Sequence, residues 1–444
     1  MKYLPTIGLE VHVQLKTKTK MFCGCPNAYG SEPNTQVCPV CLGYPGAMPT
    51  PNHDAVLKTI RAGLMLGCEI NRLSKWDRKS YFYPDMPKNY QISQYDQPLC
   101  SGGAVNIEVE GHARAVQLTR IHLEEDVGKN MHFTGASGID FNRAGTPLME
   151  IVSEPDMSTP AEALAFLQAL REILLCGDIS DCNLEEGNMR CDVNCSVRPE
   201  LQQELGAKTE LKNLNTFKGV FHALEYEIQR QIDALQAGET IKQETRRWDV
   251  DAGRTTSMRT KEDAHDYRYF PEPDLMPVLL TDAQVEEWAK SLPELPRERR
   301  QRFVTTLGLP EYDAGVLVAD RHIADYFEAT VGLGAAPKAA SNWLMTEMMR
   351  SLAETGGSIN EVPVKPEALA RLIALVENRT LNMTKAKEVF DVMLAEGGDP
   401  EAIVKDRGLA QVSDEGAIET FVDQAIAENP ESVADFKGGK KAAL

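Results

Sequence analysis

The sequence predicts an α+β chain with a strand-rich first part and a helical remainder. Apolar and polar residues alternate with period two in stretches up to about residue 275, and helical spacing takes over from about residue 282. The Pro-rich stretch Leu292-Pro293-Glu294-Leu295-Pro296 lies near the change. A length of 444 residues, 42% hydrophobic and 25% charged, suits a globular protein of two to four domains. The net charge of −19 argues against a protein that coats nucleic acid indiscriminately, though not against a local basic footprint. No charged-then-apolar leader opens the chain and no run of eighteen apolar residues occurs, so a cytoplasmic protein without membrane spans is expected.

The first predicted strand alternates Ile7, Leu9, Val11, Val13 and Leu15 with Gly8, Glu10, His12 and Gln14, which places Glu10, His12 and Gln14 on one polar face. Cys23, Cys25, Cys38 and Cys41 follow within nineteen residues, as C-x-C and C-x2-C clips joined by a turn-rich loop. That spacing lets four thiolates converge on one zinc ion, with no open position for chemistry. The bland alternative is four buried or surface thiols. Thr159-Pro160-Ala161-Glu162 supplies a cap, a Pro at the first helical position and a Glu at the third, opening a helix through about Cys176 with Leu164, Leu167, Leu170 and Leu174 as its buried stripe. A second strand alternates Arg190, Asp192, Asn194, Ser196 and Arg198 with Cys191, Val193, Cys195 and Val197; its polar face is costly to bury unless it lines a polar cleft. Helices are expected over Lys338 to Glu354 and Pro366 to Glu377, and a solvated tail after Phe436.

Acidic residues recur inside apolar strand-like runs: Glu10 beside His12, His122 with Glu124 and Glu125, Glu150 in Leu148-Met149-Glu150-Ile151-Val152, and Asp192 with Asn194. Glu10, His12, Glu124, Glu125, Glu150 and Asp192 are therefore candidate Mg²⁺ ligands, because a hard cation offsets the repulsion and desolvation of clustered carboxylates and leaves positions for phosphate oxygens. Each carboxylate could instead pair with a nearby Arg or Lys on a solvated sheet. Basic and aromatic residues cluster in Asp77–Tyr90 and from Arg246 to Phe270, and Arg190, Asn194, Arg247, Arg259 and Lys261 are candidate ATP contacts. Neither a phosphate-binding G-x4-G-K-[ST] loop nor a kinase-type Gly-rich loop is present, so any ATP site belongs to a sheet-based class. Ser153 and Ser196 lack a convincing His and Asp arrangement, there is no H-E-x-x-H motif, and the other six cysteines fit core or strand positions.

Gly8-Leu9-Glu10-Val11-His12-Val13-Gln14-Leu15, Tyr81-Phe82-Tyr83-Pro84-Asp85, Arg120–Asp126, Pro147–Asp156, Met189–Asn194 and Lys212-Asn213-Leu214-Asn215 together closely resemble the B-subunit family of the bacterial aspartyl/glutamyl-tRNA amidotransferases. The resemblance covers essentially the whole chain. It implies a glutamine-synthetase-like mixed-sheet cradle with the zinc knuckle over 1–292, an all-α domain over 293–405, and the first part of a truncated helical tRNA-binding tail over 406–444. It also implies ATP- and Mg²⁺-dependent phosphorylation of the side-chain carboxylate of Glu or Asp misattached to tRNA. Ammonia released by a glutaminase-type A subunit, with a small C subunit clasping the pair, then displaces the phosphate. On this resemblance Glu10, His12, Glu125 and Glu150 line the acyl-phosphate site, and Lys88 with Glu125 marks the mouth of the ammonia channel. Two other readings share parts of the pattern: a stand-alone carboxylate–amine ligase acting on a free amino acid, and a noncatalytic RNA-binding scaffold.

Overall fold

The apolar positions of the first alternation, Ile7, Leu9, Val11 and Val13, are all essentially inaccessible to solvent. They lie on the strand Tyr3–Gln14, near the middle of a ten-stranded sheet among the described residues. The computed structural model describes residues 2–260, 267–409, 415–430 and 433, so the tail expected after Phe436 lies outside the described residues. From one edge the strands run Arg254–Thr260, Glu244–Asp249, Thr209–Lys212, Met189–Pro199, Tyr3–Gln14, Pro147–Ser153, His112–Glu125, Cys100–Ser101 and Glu69–Ile70, with Ala104–Val109 also pairing with His112–Glu125. Thr209–Lys212 and Glu244–Asp249 pair in parallel and the other pairs are antiparallel, so the sheet is mixed.

Helices His53–Met65, Pro160–Cys176 and Phe217–Gln236 share one hydrophobic core with the apolar side of this sheet. Pro160–Cys176 begins with the predicted capping box, Thr159 and Glu162 each accepting from the other's backbone N–H. Its buried stripe is Ala163, Phe166, Leu167, Leu170 and Leu174; Leu164 is only half-buried, because the helix turns Ala163 and Phe166 inward instead. Truncating a fully buried residue such as Leu167 to Ala should cost about 2–5 kcal/mol. Cys68, Cys100, Cys176, Cys182, Cys191 and Cys195 are buried, as expected of packing residues.

A smaller sheet of Phe270–Pro271, Asp77–Ser80 and Tyr90–Ser93 carries further polar side chains. Arg78 is fixed there by a bidentate pair with Glu272 at 2.7 and 2.9 Å and by the Tyr90 ring, 4.2 Å away. The chain divides into two compact units, Met1–Pro296 and Arg297–Leu444. The second has its own core around Phe303, Phe327, Trp343, Leu369 and Phe390. Its helices include Pro366–Glu377 and Pro400–Arg407, each with Pro in the first turn. The predicted helix over Lys338 to Glu354 runs as Pro337–Trp343 and Met349–Thr355 joined by a π-helical turn, Leu344–Met348. Among the described residues no helix is long and apolar enough to cross a membrane.

Candidate functional site

The face of the large sheet opposite the helices is a grid of charged and polar side chains. Register explains it: His12 stands opposite Arg190 on one side and Glu150 on the other, and Glu150 stands opposite His122. Residues opposite one another share a face, so Arg190, His12, Glu150 and His122 form one row across four strands. Glu10 stands between Asp192 and Val152 in the next row. Gln14 and Glu124 fall on the other side of the His12 row, since alternate residues keep the same face.

Where these rows meet, His12, Glu124 and Glu150 each offer a ligand atom, all within 4.8 Å of one another. His12 Nε2 lies 3.3 Å from Glu150 Oε2 and 3.9 Å from Glu124 Oε1. His122 Nε2 lies 3.6 Å from Glu150 Oε2 and 3.8 Å from Glu124 Oε2, and Ser93 Oγ donates to Glu124 Oε2 at 3.2 Å. Burial alone pushes the Glu150 carboxyl up, but the imidazoles of His122 and His12 and the Lys79 ammonium outweigh it and hold Glu150 well below the usual carboxylate range. Burial also opposes ionisation of Glu124, yet Lys79 and His122 pull it down. For His12 burial works against the charged form, while Glu150, then Glu124 and Asp192, raise it to about 9. Lys79, under the same burial, is raised chiefly by Glu124, and its Nζ lies 5.0 Å from the centre of the Tyr267 ring. Once a cation displaces the proton from His12, an imidazole and two ionised carboxylates fit a hard divalent ion that keeps other positions for water or phosphate.

Around this centre the remaining charges are paired. Asn194 Nδ2 donates to Glu10 Oε1 at 2.8 Å, and Lys212 Nζ reaches Asp192 Oδ2 at 2.5 Å and Glu210 Oε1 at 3.6 Å. Arg190 and Gln14 both donate to Asp126 Oδ2 at 2.8 Å. Arg247 is exposed and stands beside Lys212 in the register. Arg259 belongs to the edge strand Arg254–Thr260. Lys261 lies outside the described residues.

Glu125 is separate from the His12 centre. Successive residues on a strand point to opposite faces, so Glu125 turns away from Glu124. It is 2% exposed, accepts from the Ile92 backbone N–H at 3.0 Å and pairs with Lys88. Lys88 in turn presses on Gly43: a Cβ at residue 43 would lie 2.4 Å from Lys88 Cγ, and φ there is +69°, so glycine is needed on both counts. Gly43 follows Cys41, and Lys88, Glu125, Cys23 and Cys41 line one small cavity.

The sulfurs of Cys23, Cys25, Cys38 and Cys41 also lie within 4.8 Å of one another, none in a disulfide. The Cys23 thiol donates to Cys41, and with the Cys38 backbone and Lys20 this pulls the Cys41 thiol down against its burial. Lys20 is fully buried, with Nζ 3.7 Å from Cys41 Sγ and 3.3 Å from the Phe141 carbonyl. A buried ammonium facing convergent thiols is the charge balance that a thiolate-bound zinc ion would use.

Sequence reasoning places His122 and Lys212 in motifs without giving either a role, and does not single out Lys79, Ser93 or Asp126. Lys79 sits on a strand of only four residues, too short for alternation to show which way it points.

A family model described as the GatB/GatE catalytic domain matches residues 5–286, and one described as the GatB domain matches residues 325–444. Curated relatives, named as the B subunit of aspartyl/glutamyl-tRNA(Asn/Gln) amidotransferase, are similar throughout. That of Thermoanaerobacter sp. (strain X514) is 54% identical, and that of Caldicellulosiruptor bescii 52%, each over 100% of this chain and 94% of the relative. The protein of Halorhodospira halophila is 52% identical over 99% of this chain and 93% of its own length.

Proposed function

This chain belongs to the GatB/GatE family, and from that membership we propose that it is the carboxylate-activating component of a tRNA-dependent amidotransferase. Its substrates in this reading are ATP and a tRNA carrying misattached Glu or Asp. The γ-phosphoryl group passes to the side-chain carboxylate, and ammonia then displaces the phosphate to leave the amide. The observation that carries the reading is the His12–Glu124–Glu150 centre on a polar sheet face whose neighbouring charges are paired.

A carboxylate is a poor acylating agent until its oxygen becomes a leaving group, and phosphoryl transfer is catalysed chiefly by positioning and by neutralising charge. Two carboxylates alone would repel both substrates. Lys79 offsets that repulsion at Glu124 and Glu150 and Arg190 helps at Glu124, while Lys212 acts on Asp192, Glu210 and Glu10 in the neighbouring rows. His122 and Ser93 hold the two carboxylates in place. Mg²⁺, when bound, would be held by His12, Glu124 and Glu150 and would neutralise phosphate oxygens. Glu10 and Asp192, in the next row, remain candidates for a second ion. The buried Lys88–Glu125 pair suits the mouth of an ammonia path, since a closed ion pair excludes bulk water that would protonate ammonia. Zinc held by the four cysteines would be structural, bracing the loop that carries Gly43 against Lys88.

In this reading the chain works with a glutaminase-type A subunit and a small C subunit in the cytoplasm. Residues 297–444 contribute tRNA contacts, whereas 1–296 carry the chemistry. The test is amide formation on mischarged tRNA by the assembled complex with ATP, Mg²⁺ and ammonium. Amide on tRNA is expected. Amide on free Glu without tRNA would favour a stand-alone ligase, and absence of any tRNA-dependent ATP hydrolysis would favour a scaffold.

A further inference from the structure

Helix Phe217–Gln236 turns a carboxylate into its buried stripe: Glu227, 0% exposed, sits in line with Val220, Ala223, Leu224 and Gln231. A buried carboxylate is tolerated only when it is paired and hydrogen-bonded. Arg230 donates to it at 2.6 and 2.9 Å, Gln231 at 2.8 Å and Thr255 Oγ1 at 2.9 Å, and Arg246 Nε lies 3.5 Å away. The same cluster occupies Arg246, which donates to the hydroxyl and carbonyl oxygens of Thr255 at 2.8 and 2.9 Å and to Glu244 at 2.6 Å. The next residue, Arg247, points the other way, because neighbours on a strand face opposite sides of the sheet. It is exposed, stands beside Lys212, and no hydrogen bond or ion pair holds it among the described residues. Lys212 in turn reaches Asp192, which stands opposite Glu10, so Arg247 ends the row that runs out from Glu10 across the polar face.

Resting on the proposed function, we infer that Glu227 is a positioning residue, which holds the outer strands so that Arg247 presents its guanidinium to a phosphate group of a substrate. Arg247 has no partner of its own among the described residues, so its direction comes from the residues on either side. Arg246 is gripped by Glu227, and Trp248, 5% exposed, packs against Tyr226 of the same helix with ring centres 6.3 Å apart. Backbone pairing does less there. Glu244–Asp249 meets its inner neighbour over only four residue pairs, and its ladder with Arg254–Thr260 shifts register between Thr245 and Arg246. Thr255 joins both charged groups, donating to Glu227 and accepting from Arg246, so one buried cluster ties the helix to both outer strands. Arg247 is left as an unpaired planar fork, which suits bidentate contact with phosphate. ATP and the backbone of the mischarged tRNA both carry that group.

The test is a double-mutant cycle in the assembled complex, read as KM and kcat for amide formation with ATP and mischarged tRNA varied in turn. Arg247→Ala should raise one KM about tenfold with kcat within about threefold of wild type, as for loss of a contact made equally in the ground and transition states. Glu227→Gln keeps the shape and removes the charge that Arg246 faces. It should raise the same KM about threefold to tenfold, and the double variant should be no worse than Arg247→Ala alone, because Glu227 acts through that side chain. A rise in KM for ATP assigns Arg247 to the triphosphate; a rise in KM for tRNA, with a salt slope lower by about one, assigns it to the RNA backbone. Effects that multiply in the double variant, or KM values unmoved by either single variant, would overturn the inference, since a merely structural Glu227 moves the melting temperature without acting through Arg247. If Glu227→Gln does not fold, Thr255→Val, which breaks the bridge between Glu227 and Arg246, takes its place in the cycle. A wild-type complex that forms no amide refutes the proposed function itself, whereas amide formation with independent effects at the two positions refutes only this inference.

Discussion

Glu150→Gln tests the centre most directly, because both imidazoles face this one carboxylate. Its Oε2 is 3.3 Å from His12 Nε2 and 3.6 Å from His122 Nε2. At 3.3 Å the attraction to the His12 imidazolium is on the order of 5 kcal/mol for an effective dielectric of about 20. Glu150 is only 8% exposed, so the cost of taking its charge out of water cancels most of that gain. Removing it from one side only leaves His12 without its nearest anionic partner, so the variant should lose up to about 3–5 kcal/mol, a fall in melting temperature of several degrees without unfolding at the assay temperature. Catalysis enjoys no such cancellation. If Glu150 positions charge for phosphoryl transfer, losing it should slow amide formation by about 10²–10³, as for removal of other preorganised electrostatic groups. The assay is amide formation on mischarged tRNA by the assembled complex, with glutamine hydrolysis by the glutaminase partner measured alongside. A large loss of amidation with glutamine hydrolysis retained is expected. Amidation within a few-fold of wild type, or a parallel collapse of both activities and of the melting temperature, would refute the reasoning.

Three other outcomes follow from different parts of the molecule. Stripping zinc with a chelator should lower the melting temperature by on the order of 5–10 °C while leaving amide formation near wild type well below that temperature; freshly purified protein with under about half an equivalent of zinc would count against the knuckle. Glu125→Gln leaves the buried Lys88 ammonium without its partner, so it should cost about 3–5 kcal/mol in chemical denaturation and abolish glutamine-supported amidation; a near-neutral variant on both counts would contradict the placement. In the second unit, burial opposes ionisation of Asp313, but Lys338 at 2.6 Å and Ser341 at 2.8 Å outweigh it and lower its pKa. Its stabilising contribution is thus fully present above about pH 4 and lost as pH falls through the depressed folded-state value. Asp313→Asn should flatten that acid-side loss in thermal melts, and an unchanged slope would show the pair to be inert.

Much of the candidate catalytic face is legible because a strand has period two. Gly8, Glu10, His12 and Gln14 can be assigned to one side from the alternation alone, and so can Arg190, Asp192 and Asn194. The same rule, applied to Glu124 and Glu125, separates them: adjacent residues cannot share a face, so grouping both as ligands of one ion set conflicts with the strand they occupy. Arg190 illustrates the limit in another way. Its place on the face is readable, but its hydrogen bond to Asp126 depends on a loop beyond the end of another strand.

The sequence by itself determined the α+β class, the cysteine clips, the capped helix at Thr159 and the polar faces of two strands, because each is set by spacing within a short segment. Only the tertiary structure decided that His12, Glu124 and Glu150 meet while Glu125 joins Lys88, and that Lys79 faces the same carboxylates from a separate small sheet. Those facts depend on which strands are neighbours and in what register. Pairing energies between strands distant in sequence are set by the whole core at once, so no local pattern encodes them.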